Sequence, residues 1–120
     1  MRAICSLDYN AHTNTYFKEL KILKLNDIYK INLGAIMFSH IADPLNYTIS
    51  NRFTRNSQFH NYNTRNRDDF TIPHYSRAAS QACFLYQASI AWNEVPPSIK
   101  DSHSVGAFRK KYKNHILELY

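Results

Sequence analysis

The first third of the chain has apolar residues at helical spacing, separated by lysines: Phe17, Leu20, Ile22, Leu23 and Leu25. This pattern predicts a short amphipathic helix that follows an N-cap at Thr13 or Asn14. A break is expected at Leu25, and Asn26 or Asp27 is the expected cap of the next helix. The chain should therefore begin with two consecutive helices.

From residue 28 to about residue 42, apolar residues fall on nearly every side of the second predicted helix. That arrangement is typical of the central helix of a small core. Gly34 inside it costs about 1 kcal/mol relative to alanine, which is tolerable where packing is close. The helix should end at Asp43-Pro44, because proline disfavours a helical conformation at the preceding residue.

Residues 45–69 have neither a helical nor a strand period and are rich in Asn, Ser, Thr and Arg. They predict a long polar loop, and such loops are uncommon in compact proteins unless they are functional or disordered. Phe70-Thr71-Ile72 can then form a short edge strand limited by Pro73. Residues 78–86 are ambiguous, because the alanines favour a helix whereas residues 83–86 can pair with residues 70–72 as a hairpin.

Two further helical segments come later in the sequence. Ala88–Asn93 predicts one or two helical turns that bury Trp92, with Asn93 bonded to the backbone that turns at the prolines. The last helix is expected to be capped by Ser102 or Ser104. Its predicted apolar face consists of Val105, Phe108, Tyr112, Ile116 and Leu119.

These elements predict a mainly α-helical fold of three or four helices, with a long polar loop and a short β-hairpin near residues 70–86. We expect one domain or fragment over residues 1–120. Its parts are a helical pair (1–44), a basic-aromatic loop (45–77), and a hairpin or helix segment with a basic C-terminal helix (78–120). The hydrophobic content of 44% argues against wholesale disorder.

The chain carries a net charge of +6, and the excess lies in two stretches. Residues 50–77 hold five arginines against two aspartates, and residues 100–120 hold five Lys/Arg against two acidic residues. Two separate basic stretches on a small chain indicate an anionic partner, most often nucleic acid. The alternative is ordinary solvated surface charge.

The first basic stretch combines arginines, aromatic residues and asparagines. Planar guanidinium groups match phosphate oxygens, asparagine amides can bond sugar or phosphate groups, and aromatic rings can stack on unpaired bases. The candidate stacking rings are those of Phe53, Phe59, Tyr62, Phe70 and Tyr75. The predicted nucleic-acid-binding residues are Arg52, Arg55, His60, Asn61, Tyr62, Asn63, Arg65, Arg67, Arg77, Lys110 and Lys111. The alternative places Tyr62, Phe70 and Trp92 in the core and uses the asparagines as turn caps.

Asp68 and Asp69 are adjacent, as are two metal-binding aspartates of reverse transcriptases. In those enzymes an aromatic residue stands two positions before the pair, between apolar strands; here that position is Asn66 and the preceding residues are polar. The histidines and cysteines have no zinc-ligand spacing, and there is no glycine-flanked nucleophile. No catalytic residue, metal or cofactor is therefore predicted.

The sequence also bears on location. No secretory signal is visible, and the longest fully apolar run, Ala35 to Phe38, is far shorter than the roughly 20 residues that span a bilayer. Cys5 and Cys83 follow no pattern, which fits a reducing compartment. We expect an intracellular protein, nuclear or cytoplasmic, that is not secreted and makes no membrane contact.

Several strings of the chain resemble the C-terminal end of reverse transcriptase polyproteins of jockey-like non-LTR retrotransposons. Residues 60–65, His-Asn-Tyr-Asn-Thr-Arg, are identical to the family's HNYNTR string, and residues 11–25 are similar to its "AHT…F…L.ILKL" segment. Trp92-Asn93 with Pro96 is similar to its "WN.LP" run, and residues 108–111 to its closing "FKKK" helix. The chain departs from the family at Val95, where the family has leucine, and in lacking two glycines before it.

The resemblance covers nearly the whole chain and implies that it corresponds to the region after the fingers and palm, namely the thumb and the segment C-terminal to it. In the family that region helps to hold template and primer while the palm does the chemistry. The resemblance thus implies a truncated, non-catalytic fragment that contacts RNA, or an RNA–DNA or DNA duplex. The palm and fingers of a full-length polymerase are a further expected partner. The alternatives are a structural or interaction module and an inactive relic.

Overall fold

The computed structural model describes residues 2–6, 8–43 and 52–120. In these ranges the prediction of a mainly helical fold is confirmed. Four helices have six residues or more, and two are single turns of four residues. Residues 44–51, which include the predicted helix end at Pro44 and the start of the predicted loop, lie outside the described residues. The helices are α1 (Asn14–Glu19), α2 (Leu25–Ala42), α3 (Ala78–Gln81), α4 (Phe84–Asn93), α5 (Pro97–Lys100) and α6 (Val105–Leu119).

Helix α2 lies at the centre of the fold, because it packs on both α4 and α6. Its inner side buries Ile31, Ala35 and Met37, which share one core with Trp92 of α4 and Phe108 of α6. The Trp92 and Phe108 rings are stacked, with centroids 6.0 Å apart. Three helices therefore meet around this pair of rings.

The outer side of α2 is apolar as well, but it is exposed. Leu25, Ile28, Tyr29 and Ile36 each keep more than a third of their surface accessible. The sequence pattern correctly indicated apolar residues around most of the helix. Only one side of it is buried, so the other remains an apolar surface.

Helix α1 is shorter than predicted. It ends at Glu19, and Lys21 takes a left-handed conformation with φ of 53°. The N–H of Ile22 donates to the carbonyl of Phe17, and that of Lys21 donates to the carbonyl of Lys18. This pair of bonds ends a helix in a Schellman motif, where glycine is the usual left-handed residue. Because a lysine occupies that position, the sequence has no glycine there to indicate the end of the helix.

Helix α2 is capped by the C-terminal residue of the chain. The N–H of Lys24 donates to the hydroxyl oxygen of Tyr120 (2.9 Å), and that hydroxyl donates to the carboxylate of Asp27. The N-cap is Lys24, so the prediction of Asn26 or Asp27 is wrong. The oxygen comes from a residue 96 positions away, which local sequence cannot indicate.

The predicted β-hairpin near residues 70–86 is also wrong. The segment expected to be its second strand opens α4. Extending α4 back to residue 84 keeps Ala88 and Trp92 on the side that is buried against the core. The backbone N–H and C=O of Phe70, which a second strand would have bound, are bound by the side chain of Asn93.

Helix α6 begins as predicted and differs at its end. Ser104 is its N-cap, and the Ser104 hydroxyl oxygen accepts from the N–H of Ala107 (3.2 Å). Leu119 was expected on the apolar face but is 72% exposed, whereas Leu117 is buried.

Gly34 is a point of close approach between α2 and α6. A Cβ atom there would lie 3.1 Å from Cζ of Phe108 and 3.5 Å from Cε1 of Tyr112. Phe108 is fully buried and its ring also contacts those of Phe38 and Trp92, so it has little room to move. Packing, not backbone conformation, explains the glycine.

Gly34→Ala should therefore lower the free energy of unfolding by about 1 kcal/mol. Overpacking a rigid core costs about 1–3 kcal/mol, and alanine returns up to about 1 kcal/mol of helix propensity. Gly106→Ala is the matched control: a Cβ there meets nothing within 4 Å, so alanine should raise stability by about 0.5 kcal/mol. Urea unfolding measures both, and equal stability of the two variants would contradict the close packing.

Candidate nucleic-acid interface

Asn93, the last residue of α4, positions the basic segment. Its Oδ1 accepts from the N–H of Phe70 (2.9 Å), and its Nδ2 donates to the carbonyl of Phe70 (2.8 Å). The amide thus pairs with Phe70 as a residue of a neighbouring strand would. The sequence indicated a backbone contact for Asn93, but the predicted partner, the turn at the prolines, was wrong.

Residues 55–70 form a closed loop, which we call the anchored loop. Its ends meet in an antiparallel β-bridge between Arg55 and Phe70. Next to the bridge, the N–H of Asn56 donates to the carbonyl of Asp69 (3.0 Å). Together with the Asn93 amide, these bonds fix both ends of the loop on α4.

The side chain of Asn56 adds two bonds across the loop. Its Nδ2 donates to the carbonyl of Asn66 (2.8 Å), and its Oδ1 accepts from the hydroxyl of Thr71 (2.9 Å). Asn56 is half-buried, and hydrogen bonds with little access to water are stronger than exposed ones. Asn56 therefore links the two sides of the loop base, a role that its sequence position did not indicate.

Arg55 closes the loop with its side chain. Its guanidinium carbon lies 5.2 Å from the centroid of the Phe70 ring, and Nη1 donates to the carbonyl of Asp68 (2.8 Å). This predicted phosphate-binding residue therefore holds the loop as well. A guanidinium carries five N–H donors, so further donors are left for an external acceptor.

Lys100, which the sequence did not single out as a site residue, joins the base of the anchored loop. Its Nζ lies 4.0 Å from Oδ1 of Asp69 and 5.4 Å from the centroid of the Trp92 ring. Burial lowers the pKa of Lys100, Asp69 raises it, and the charge of Arg55 lowers it. Two cations and one carboxylate thus lie together at the loop base. Lys100 is on α5, so only the tertiary fold brings it there.

The tip of the anchored loop, residues 59–66, is exposed throughout. Tyr62 is 77% exposed, and its ring centroid lies 6.4 Å from that of His60. Asn61 and Asn63 are exposed beside it. The structure therefore brings the predicted residues of the HNYNTR string together on one outward-facing turn.

Four of the predicted arginines are exposed: Arg52, Arg65, Arg67 and Arg77. Within the described part of the chain, no hydrogen bond or ion pair engages their guanidinium groups. Their charges are available to an external anion, which is the arrangement that phosphate contact requires.

The five candidate stacking rings divide into two groups. Phe53 and Phe70 turn inward, with centroids 5.4 Å apart, and Tyr75 is half-buried. Phe59 and Tyr62 are exposed. The alternative that placed Phe70 in the core is right for that ring, and it is wrong for Tyr62.

Lys110 and Lys111 are exposed on α6. This helix packs on α2 and α5, whereas the anchored loop is fixed on α4. The predicted arginines of the anchored loop and the predicted lysines of α6 therefore lie on different elements of the fold.

Asp68 and Asp69 face different surroundings. Asp69 is half-buried beside Lys100, and Asp68 is exposed, with its carbonyl bound by Arg55. In the described ranges no three His, Cys, Asp or Glu side chains are grouped so that they can hold a metal ion.

Comparison of the chain with models of protein families, with curated proteins and with solved structures finds no match. The resemblance to retrotransposon reverse transcriptases therefore stays a prediction, as does the cellular compartment. No helix in the described ranges has the length and hydrophobicity needed to cross a bilayer.

Asn93→Ala should lower the free energy of unfolding by about 3 kcal/mol, because it leaves two backbone groups of the buried Phe70 unpaired, at about 1–3 kcal/mol each. Asn114→Ala, which removes an exposed amide on α6, is the matched control and should change stability by less than about 0.5 kcal/mol. Urea unfolding measures both. A loss below about 1 kcal/mol for Asn93→Ala would contradict the anchoring role.

Proposed function

We propose that this chain is a non-catalytic, nucleic-acid-contacting module, the C-terminal part of a retrotransposon-type reverse transcriptase without the polymerase centre. Its partner is RNA, or an RNA–DNA or DNA duplex. The observation that carries the proposal is the anchored loop, whose exposed arginines have no partner within the described residues. The HNYNTR string, on which the resemblance depends, forms the tip of that loop.

The construction of the loop supports this function. Both of its ends are held by hydrogen bonds to the core, so less conformational entropy is lost when a ligand binds. Arg65 and Arg67 contribute salt-dependent contacts to phosphates, and Phe59 and Tyr62 contribute stacking on unpaired bases. Such contacts hold a strand without requiring a particular sequence.

In this proposal the chain binds and positions, and chemistry belongs to a separate palm. No residue of the chain is assigned a role in bond making or breaking. The doublet Asp68-Asp69 belongs to the loop base, where Asp69 lies beside Lys100.

A structural or interaction module is the second candidate, and the outer side of α2 favours it. Leu25, Tyr29 and Ile36 form an exposed apolar stripe, and such patches mark surfaces that pack on another polypeptide. Under the resemblance, that polypeptide is the palm or fingers of the full-length polymerase. This candidate alone would stand if the chain folds cooperatively and binds no nucleic acid.

The proposal predicts that replacing Arg65 and Arg67 together by alanine weakens binding by roughly tenfold, because two solvent-exposed charge contacts of up to about 1 kcal/mol each are lost. The slope of log K against log salt should fall by about 0.7–0.9 per lost contact. Fluorescence anisotropy of labelled RNA and RNA–DNA duplex at several salt concentrations measures both. The melting temperature should not change, since both side chains are exposed.

The matched control removes the same two charges elsewhere, at Lys18 and Lys113, which are exposed on α1 and α6. Its binding and salt slope should stay close to those of the unmodified chain. An equal loss in both double variants would show that net charge, not the loop, is responsible. No binding by the unmodified chain would overturn the proposal.

A further inference from the structure

A pocket of about 350 Å³ lies between the last turns of α2 and the base of the anchored loop. Its size falls in the range of small-molecule sites, roughly 300–1,000 Å³. Apolar and aromatic side chains form most of its wall, and three side chains are polar. The lining residues are Met37, His40, Ile41, Phe53, Arg55, Gln58 and Phe70.

His40 in this wall has a polar atom without a partner among the described residues. Its Nδ1 is buried, and no hydrogen bond from those residues engages it. Nearly all buried polar atoms in proteins are hydrogen-bonded, so an exception requires an explanation. Because Nδ1 has no accessible surface, it reaches the polar edge of a ligand in the pocket when the His40 ring turns about its Cβ–Cγ bond.

Gln58 provides a second unpaired polar group. Its side chain is exposed, and no hydrogen bond engages its amide within the described residues. The amide offers one acceptor and two donors. Together, His40 and Gln58 can hydrogen-bond a ligand edge that carries both donors and acceptors.

The aromatic residues of the pocket suit a flat ligand. The rings of Phe53 and Phe70 are inclined at 54° with centroids 5.4 Å apart, and the guanidinium of Arg55 covers Phe70. Aromatic rings and guanidinium groups both stack on planar heterocycles. The unused donors of Arg55 can also bind a phosphate joined to that heterocycle.

We propose that the pocket takes one unpaired nucleobase of the strand that the anchored loop binds, an inference that rests on the proposed function. The base stacks on Phe53, its edge bonds to His40 and Gln58, and its phosphate lies at Arg55. The pocket is continuous with the proposed interface, because Arg55, Gln58 and Phe70 belong to the anchored loop. A base within a perfect duplex is already paired and stacked, so the pocket selects single-stranded or frayed nucleic acid.

The test compares three ligands of equal length by anisotropy: a single strand of thymidines, the same strand with abasic sugars throughout, and a perfect duplex. The two single strands carry the same phosphates, so they differ only in their bases, and the Gln58→Ala variant then separates the base in the pocket from bases stacked on Phe59 or Tyr62. The thymidine strand should bind about five- to 100-fold more tightly than the abasic strand, as expected from stacking of one base.

Gln58→Ala should reduce that ratio about two- to tenfold, the loss expected for one hydrogen bond, and leave duplex affinity unchanged. Phe53→Leu should abolish most of the ratio. Phe53 packs partly against the core, so Gln58→Ala, an exposed position, decides the outcome if Phe53→Leu does not fold. Asn114→Ala, an exposed amide on α6, should leave all three affinities unchanged.

The outcomes separate the two proposals. Equal binding of the thymidine and abasic strands overturns the pocket inference and the stacking on Phe59 and Tyr62, and it leaves the phosphate contacts of the proposed function standing. A ratio that Gln58→Ala does not alter also overturns the pocket inference, since the base is then held elsewhere, as on Tyr62. Absence of binding by all three ligands overturns the proposed function and the inference with it.

Discussion

The amide of Asn93 bonds to both backbone polar groups of Phe70, and the position of the anchored loop depends on this pairing. Asn93 ends α4 next to Trp92, which is buried and stacked on Phe108. The packing of α4 in the core therefore fixes the position of the Asn93 amide. Phe70 in turn carries the bridge to Arg55 and the stack of its guanidinium. A side chain here takes the place of a β-strand, and the loop is fixed to the core without a sheet.

This attachment explains how a polar loop can present a binding surface. Ordering a backbone residue costs about 1–2 kcal/mol. A loop that became ordered only when the ligand binds would bind more weakly by that free energy. In this fold, closure of residues 55–70 occurs in folding, through bonds at the loop base. The tip then carries few internal bonds and is exposed. Hydrogen bonds to the core order the base of the loop, whereas the exposed side chains of the tip are available to bind the ligand.

The sequence predicted the structural features that depend on the local spacing of residues. It did not predict those that depend on contacts between residues far apart in the chain. The spacing of apolar residues indicated α2 and α6, and Ser104 was a correct N-cap candidate. The cap of α2 depends on Tyr120, and the absence of a hairpin depends on Asn93, neither of which is near in sequence. In the site, composition indicated the arginines but could not separate those that are exposed from Arg55, which also closes the loop. Lys100 and His40 are brought to the loop by the tertiary fold alone.

The aspartate doublet illustrates the same division between local pattern and fold. Asp69 lies beside Lys100, whose pKa also responds to the charge of Arg55. The two cations repel each other, and the carboxylate of Asp69, 4.0 Å from Nζ of Lys100, offsets part of that repulsion. The carbonyls of Asp68 and Asp69 also accept the bonds from Arg55 and Asn56 that close the loop. Asp69 thus offsets part of the positive charge at the loop base, whereas the solvent-facing arginines Arg65 and Arg67 have no carboxylate partner within the described residues.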